Sequence, residues 1–390
     1  TVVMGIRPED VHDSEDFIAN SPDTVVESTI RVYELLGAEV FLYFDVENYE
    51  EEFLKENNDG KYTYFLEQNP LNDLSPIKKE YEDADIISVF TTSRVNKKVL
   101  EQFKNLKLIA LRSVGFNHID TDYCKEHNIA VVNSLGYGNI TVAEFALALL
   151  LNVARKVTES YTDYKNGCVK PENLIGTELC GKTVGIVGLG AIGSAFAKIA
   201  HGLSMNILGF AKIAHGLSMN ILGFDKYEKE ELKQNYGVKY TDFDTLLKES
   251  DFISIHAPLT KDNYHMFDEE SFKKMKKTAI IVNTGRGELI DTKALYDAIV
   301  NKQIAGAGLD VLEKEETITD FDYIVGLNRL DKFTLEQTII NSQLFRLDNV
   351  IVTPHTAFNS REAIHRILRT TMSNINEFSS GNIQNNVIKI

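Results

Sequence analysis

The sequence predicts an α/β protein built on two doubly wound parallel sheets. Three observations carry this. Short apolar runs alternate with longer polar or amphipathic segments along the chain, the pattern of parallel strands joined by crossover helices. The pattern restarts more cleanly after Gly181, so two sheets are expected. The 390 residues, 43% of them hydrophobic, supply enough apolar side chains for two cores.

Each element can be read in order. Val2–Ile6, Val40–Phe44, Ile86–Phe90, Leu108–Leu111 and Ala130–Val132 are short apolar strands. Acidic or Lys-rich helical segments separate them. The acidic run Asp45–Asp59 reads as a solvated surface segment. Thr141 opens a long helix to about Val157, apolar enough to suggest burial between domains. Thr183–Val187, Met219–Phe224, Phe252–His256, Ala279–Val282, Ala305–Leu309 and Val350–Val352 are the later strands. Residues 140–357 therefore read as one doubly wound domain. Residues 1–139 and 358–390 form the other, with the C-terminal helix crossing back. Glu313–Arg346 is a long polar insertion between strands, expected to be a loop near the active site.

Composition narrows the function. A net charge of −16 argues against non-specific nucleic-acid binding, which needs surplus Lys and Arg to displace counterions. No run approaches the roughly eighteen apolar residues of a membrane helix. The first residues lack a basic region followed by a long apolar one, so no signal peptide is expected. Cys124, Cys168 and Cys180 are scattered, with no C-x-x-C. Reduced thiols in a cytoplasm are expected, and no metal site.

The best chemical motif is Gly188-Leu189-Gly190-Ala191-Ile192-Gly193. It follows a strand and opens a helix, the context that makes it a dinucleotide fingerprint. Gly188 allows the tight turn, Gly190 lets the backbone approach a pyrophosphate, and Gly193 lets helix and strand pack closely. The phosphates belong on the helix N-terminus. An acid at the end of the next strand should hold the adenosine ribose. Asp225 fits, and its charge would repel a 2′-phosphate, which favours NAD over NADP.

An unchanged tandem repeat interrupts this unit: AKIAHGLSMNILGF fills 197–210 and again 211–224. Thirty-one residues (194–224) separate Gly193 from Asp225; without one copy there would be seventeen, near the usual spacing of about 20. Copy 1 as an extra strand leaves too short a crossover to Met219. A helix longer by fourteen residues would carry Gly202 and Gly209 and need a long return. The favoured arrangement takes the helix from copy 1 and the strand from copy 2, with 203–216 as an excursion. A sequence-assembly error is the remaining reading.

Downstream motifs add a resemblance. Arg112-Ser113-Val114-Gly115-Phe116-Asn117-His118-Ile119-Asp120 is followed by Asn283-Thr284-Gly285-Arg286-Gly287-Glu288-Leu289-Ile290-Asp291. Gly308-Leu309-Asp310-Val311-Leu312-Glu313-Lys314-Glu315 and Thr353-Pro354-His355-Thr356-Ala357-Phe358 come next. With these motifs the chain resembles the D-isomer-specific 2-hydroxyacid dehydrogenases, most of all the D-lactate dehydrogenases, including the vancomycin-resistance type. The match is strong from about 106 to 360. The resemblance implies a Rossmann NAD-binding domain, a flavodoxin-like substrate domain and a homodimer through the apolar helix 141–157. It also implies cofactor contacts at Gly188, Gly190, Ala191, Ile192, Gly193, Asp225, His256, Pro258, Thr284, Gly285 and Asp310.

The chemistry of reducing a 2-keto acid can be read beside it. Arg286 follows a strand at the edge where ligands bind, and its fork suits a carboxylate. His355 also ends a strand and can give a proton to the developing alkoxide. A carboxylate must hold His355 protonated; the family pattern implies Glu315, with Glu313 and Glu316 as close alternatives. Asp310 would lie near the nicotinamide and tune the pair. The substrate carboxylate would meet N–H groups at Val114 and Gly115, and Tyr137 and Phe358 would line its pocket. His118, His256 and His265 are expected in supporting or structural roles. The expected reaction is NAD-dependent reduction of pyruvate to D-lactate. A larger 2-keto acid, such as 2-ketoisocaproate or phenylpyruvate, is the alternative. A non-catalytic NAD-sensing interaction protein is a third possibility, against which the intact Arg–Glu–His set argues.

Overall fold

Parallel strands covered by helices on both faces must be largely apolar, and these are. Every residue of the central strands Ile86–Val89, Leu108–Leu111, Phe252–Ile255, Ile280–Asn283 and Gly306–Leu309 is buried. The computed structural model describes residues 40–45, 48–57, 60–73, 77–201, 219–315 and 332–388. The expected strand Val2–Ile6, the centre of the repeat (202–218) and Glu316 lie outside the described residues.

The chain divides into two units, Thr1–Ser134 with Leu368–Ile390, and Leu135–Ile367. The sequence reading places these cuts at 139/140 and 357/358; the second cut falls inside the final helix Arg361–Ser379. Both units are doubly wound parallel α/β folds, the class the sequence predicts.

In the first unit the strands are β1 (Phe41–Asp45), β2 (Thr63–Glu67), β3 (Ile86–Val89), β4 (Leu108–Leu111) and β5 (Ala130–Val132). Their order is β2-β1-β3-β4-β5, all parallel. The sequence reading misses β2, although Tyr62–Leu66 is rich in aromatic residues. It also misreads Asp45–Asp59. Asn48–Glu56 is a helix (α1), and Asp45 and Glu50 are buried. The reason is Arg112, itself buried, which donates to Asp45 Oδ1 at 2.6 Å and to Glu50 Oε1 at 3.0 Å. Two carboxylates can leave water here because a guanidinium meets them.

In the second unit the order is β12-β11-β10-β9-β6-β7-β8. These are β6 (Thr183–Val187), β7 (Asn220–Phe224), β8 (Lys239–Tyr240), β9 (Phe252–Ile255), β10 (Ile280–Asn283), β11 (Gly306–Leu309) and β12 (Val350–Val352). The direction of winding reverses between β6 and β9, the switch point where such sheets bind ligands. Helices start on acids that accept a third-residue N–H: Asp242 from Thr245, Asp268 from Ser271, Asp291 from Ala294.

The long apolar helix, Asn139–Arg155, stops where Lys156 turns left-handed at φ 52°. Ala143, Ala146, Leu149, Leu150 and Val153 pack into the core of this unit with Phe196, Ile280 and Val282. Its apolar face is thus consumed inside one unit, which corrects the expectation of burial between domains. The insertion is corrected too. Lys332–Leu344 is a helix, not a loop, and it packs on the helix Thr292–Val300.

Candidate active site

The glycine-rich turn leaves β6 at the switch point and enters the helix Ala191–His201. Gly188 has φ 86°, and a Cβ there would sit 2.7 Å from the Ala257 backbone. A Cβ on Gly193 would lie 1.9 Å from Gly188 O, so the helix could not approach the turn. Gly190 differs: a Cβ there would meet nothing within 4 Å. That open side faces no protein, as a pyrophosphate cradle requires. A cavity of about 400 Å³ adjoins the same helical turn, lined by Ala191, Ser194, Lys198, Tyr137 and Asn139 among others.

Copy 2 of the repeat supplies the strand before the acid. Asn220–Phe224 pairs with Thr183–Val187, residue for residue. Asp225 then stands beside the turn: its Oδ2 accepts from Leu189 N–H at 2.5 Å and its Oδ1 from Tyr227 N–H at 2.8 Å. The fingerprint and its acid therefore meet in space despite the doubled spacing. Lys229, given no role by the sequence, donates to Gly190 O at 3.1 Å and Ser194 Oγ at 2.9 Å. These residues fit a dinucleotide.

Other expected cofactor contacts cluster at the ends of β9 and β10. His256 shares protons with Ser254 Oγ (2.9 Å) and Thr284 Oγ1 (3.3 Å) and packs on Phe196. Burial pushes its imidazole down to about 3, so it is neutral. Pro258 is exposed just beyond. Asn283 fixes the next loop through Gly285 N–H and Arg286 O, both at 2.9 Å, and Thr284 is buried there.

Arg286 leaves that loop half-buried, one Nη donating to Gly285 O at 2.8 Å. Its charge is felt at both His355 and Tyr137. His355 Nδ1 lies 2.6 Å from Glu315 Oε1. Glu315 Oε2 accepts from Leu312 N–H at 3.2 Å, which orients the carboxylate. Of the alternatives, Glu313 points elsewhere, to Tyr264 and His265. Partial desolvation works against the His355 cation, and Arg286 adds to that. The hydrogen bond and charge of Glu315, with Asp310 behind, outweigh both and hold its pKa above the ordinary value.

Asp310 is buried and fully engaged by the protein. It accepts from Thr353 Oγ1 (2.6 Å), Thr356 N–H and Ala357 N–H (both 2.9 Å). It thereby shapes the loop carrying His355, whose φ is 53°, a left-handed conformation uncommon outside glycine. Its tuning of the His–Glu pair works through that loop. Tyr137 is half-buried and its hydroxyl pushed up to about 12, burial outweighing Arg286. Phe358 is half-buried, its Cβ 3.8 Å from where a Gly138 Cβ would stand.

Val114 and Gly115 belong to the first unit, on the loop after β4. Val114 O accepts from Asn133 Nδ2 at 2.8 Å and Gly115 O from Ser113 Oγ at 2.6 Å. Among the described residues nothing takes up their N–H groups. Donors held open by tied carbonyls suit an anion.

Comparison with known proteins gives the family. The family model for the D-isomer specific 2-hydroxyacid dehydrogenase NAD binding domain matches residues 147–212 and 208–357. The two pieces meet inside the repeat. A glyoxylate reductase of Thermococcus litoralis is 36% identical over 317 residues, 80% of this chain and 85% of the relative. A hydroxypyruvate reductase of Thermotoga maritima is 35% identical over 75% of this chain and 83% of its own. Among solved structures, the D-lactate dehydrogenase of Aquifex aeolicus, complexed with NAD and lactic acid, superposes with a TM-score of 0.71. It is 31% identical over 88% of this chain and 96% of its own. The apo D-lactate dehydrogenase of Escherichia coli gives 0.72 at 30% identity, over 89% and 99%. The chain belongs to the D-isomer specific 2-hydroxyacid dehydrogenases. Its cofactor is NAD, and its reaction interconverts 2-keto and 2-hydroxy acids.

Proposed function

We propose that the chain reduces pyruvate to D-lactate. The observation that carries the chemistry is the 2.6 Å contact of His355 Nδ1 with Glu315 Oε1, under the charge of Arg286. NADH, when bound, supplies the hydride. Arg286 pairs with the substrate carboxylate and polarises the carbonyl. His355, kept protonated by Glu315, gives its Nε2 proton to the carbonyl oxygen as charge develops there. The free N–H groups of Val114 and Gly115 are assigned to the same carboxylate. Gly188, Gly190, Ala191, Ile192 and Gly193 hold the phosphates, and Asp225 the ribose hydroxyls. His256, Pro258, Thr284 and Gly285 shape the cofactor's bed, and Asp310 braces the His355 loop beside it.

The choice of pyruvate rests on Tyr137 and Phe358 as walls for a small side chain, and on the D-lactate dehydrogenases among the solved neighbours. A second reading, glyoxylate or hydroxypyruvate, draws on the names of the relatives in Thermococcus and Thermotoga. A panel of keto acids ranked by kcat/KM with NADH separates them. Pyruvate at the head supports the proposal; glyoxylate or hydroxypyruvate at least tenfold ahead overturns it.

A homodimer completes the proposal. Since helix Asn139–Arg155 spends its apolar face internally, the contact is assigned beyond it, to exposed Val157, Tyr161, Tyr164 and Ile175. Light scattering on the eluting protein gives the mass; a monomer at micromolar concentration rejects this assignment.

A further inference from the structure

Two residues before Glu315, a second histidine–carboxylate cluster lies on the same turn. Glu313 is only 2% exposed. Its Oε1 accepts from Tyr264 OH at 2.9 Å and lies 3.1 Å from His265 Nε2. Its Oε2 accepts from Gln337 Nε2 at 3.2 Å, and its backbone oxygen from Asn341 Nδ2 at 2.9 Å. Gln337 and Asn341 sit one helical turn apart on Lys332–Leu344, so one face of the insertion helix grips both ends of one residue. His265 is in turn fixed by Glu288 O on its own N–H (2.8 Å), with Asp291 Oδ2 3.9 Å from its Nδ1, and stacks on Tyr264. Gly287, next to Arg286, packs so closely that a Cβ there would lie 2.4 Å from Glu313 N.

We infer that Glu313 is a positioning residue: clamped by Tyr264 and His265 on one side and by the insertion helix on the other, it fixes the turn that sets Glu315 on His355. The reasoning is geometric. Lys314, at φ 56°, reverses the chain between the two acids. Glu313 is thus drawn into the interior while Glu315 turns to His355, 2.6 Å away. A buried carboxylate with this many donors has one position. Glu315, about one-third exposed, accepts from Leu312 N–H and meets His355 on the other side of the reversal. The insertion therefore serves the active site from behind.

This rests on the reading of His355 as the proton donor, and the test separates the two. The groups facing His355 are Glu315, Asp310 and Arg286; those facing Glu313 are Tyr264 and His265, with Asp291 beyond. The His355 titration is followed by NMR of the imidazole in the whole chain, which needs no turnover. Glu313→Ala should lower the His355 midpoint, because Glu315 is no longer held against it. It should also cut kcat for keto-acid reduction roughly tenfold on the alkaline side of the lowered midpoint and leave NADH affinity unchanged. Glu313→Gln, whose amide oxygen still accepts from Tyr264, should recover part of both. Gln337→Ala should shift the midpoint in the same direction by less. Folding is checked by near-UV circular dichroism, and if Glu313→Ala does not fold, Gln337→Ala decides. A folded variant with the wild-type midpoint overturns the proposal. If His355→Gln retains turnover, the proton-donor reading fails on its own, whatever the midpoints show.

Discussion

His355 is held in a left-handed backbone conformation by the loop that Asp310 ties down. Strain of this kind persists only where the surroundings over-determine it. Replacing His355 with Gln should cost about 10²–10⁴ in turnover. The sign of the pH dependence follows from its raised pKa. If His355 is the proton donor as proposed, reduction needs the imidazolium, so its rate should fall as pH rises past that raised value. Hydroxy-acid oxidation should show the opposite limb. In Glu315→Gln the reductive limb should move to lower pH; an unmoved limb would remove Glu315 from its role. Arg112 makes a different demand. Arg112→Met leaves Asp45 and Glu50 buried without a counter-charge, and should cost about 3–5 kcal/mol in denaturant unfolding. Asp45 is already pushed up to about 6, burial outweighing Arg112. Its folded state favours the proton, so this group's contribution is greatest below about pH 4 and declines as pH rises through 6. The variant's deficit should therefore be larger at pH 7.5 than at pH 5.

At the scale of elements, the glycine turn separates folding from binding. Gly193→Ala drives a methyl group into Gly188 O, so both thermal stability and NAD affinity should fall. Gly190→Ala meets no protein atom within 4 Å. It should keep its melting temperature and lose NAD affinity by at least tenfold, since only the phosphates need that space. Equal NAD affinity in Gly190→Ala, measured by calorimetry, would place the pyrophosphate elsewhere. The insertion helix Lys332–Leu344 shows how an element can be hidden from sequence. Its buried residues are Thr334, Gln337, Asn341 and Leu344, so its inward face is mostly polar. A search for apolar periodicity cannot find a face that packs by hydrogen bonds.

For the whole molecule, the two copies of the repeat supply different elements. Copy 1 furnishes the end of the helix, Ala197–His201, and copy 2 furnishes the strand from Asn220 that delivers Asp225. Each copy thus contributes to a different element, and the two pieces of the family match overlap at 208–212, where the copies join. Deleting residues 203–216 leaves the same sequence as deleting either copy. NAD affinity, read by quenching of protein or cofactor fluorescence, should be equal or better in the shortened chain. A large loss would mean that the extra residues build the site.

Much of the fold and part of the site were legible in the sequence because they rest on local chemistry. Alternating apolar runs pointed to the parallel sheets, since strands buried on both faces must be largely apolar. The glycine spacing, Asp225, Arg286 and His355 could be placed from sequence because each follows the end of a strand, where the chain turns. Tertiary structure decided the rest. Which acid serves His355 depended on a reversal at Lys314 that sends Glu313 inward and Glu315 out, and spacing along the chain cannot see it. Asp45 and Glu50 looked like surface charge until folding brought Arg112, just past the end of β4, against them. The sequence determined which groups could do the chemistry; only packing among distant segments determined which way each of them points.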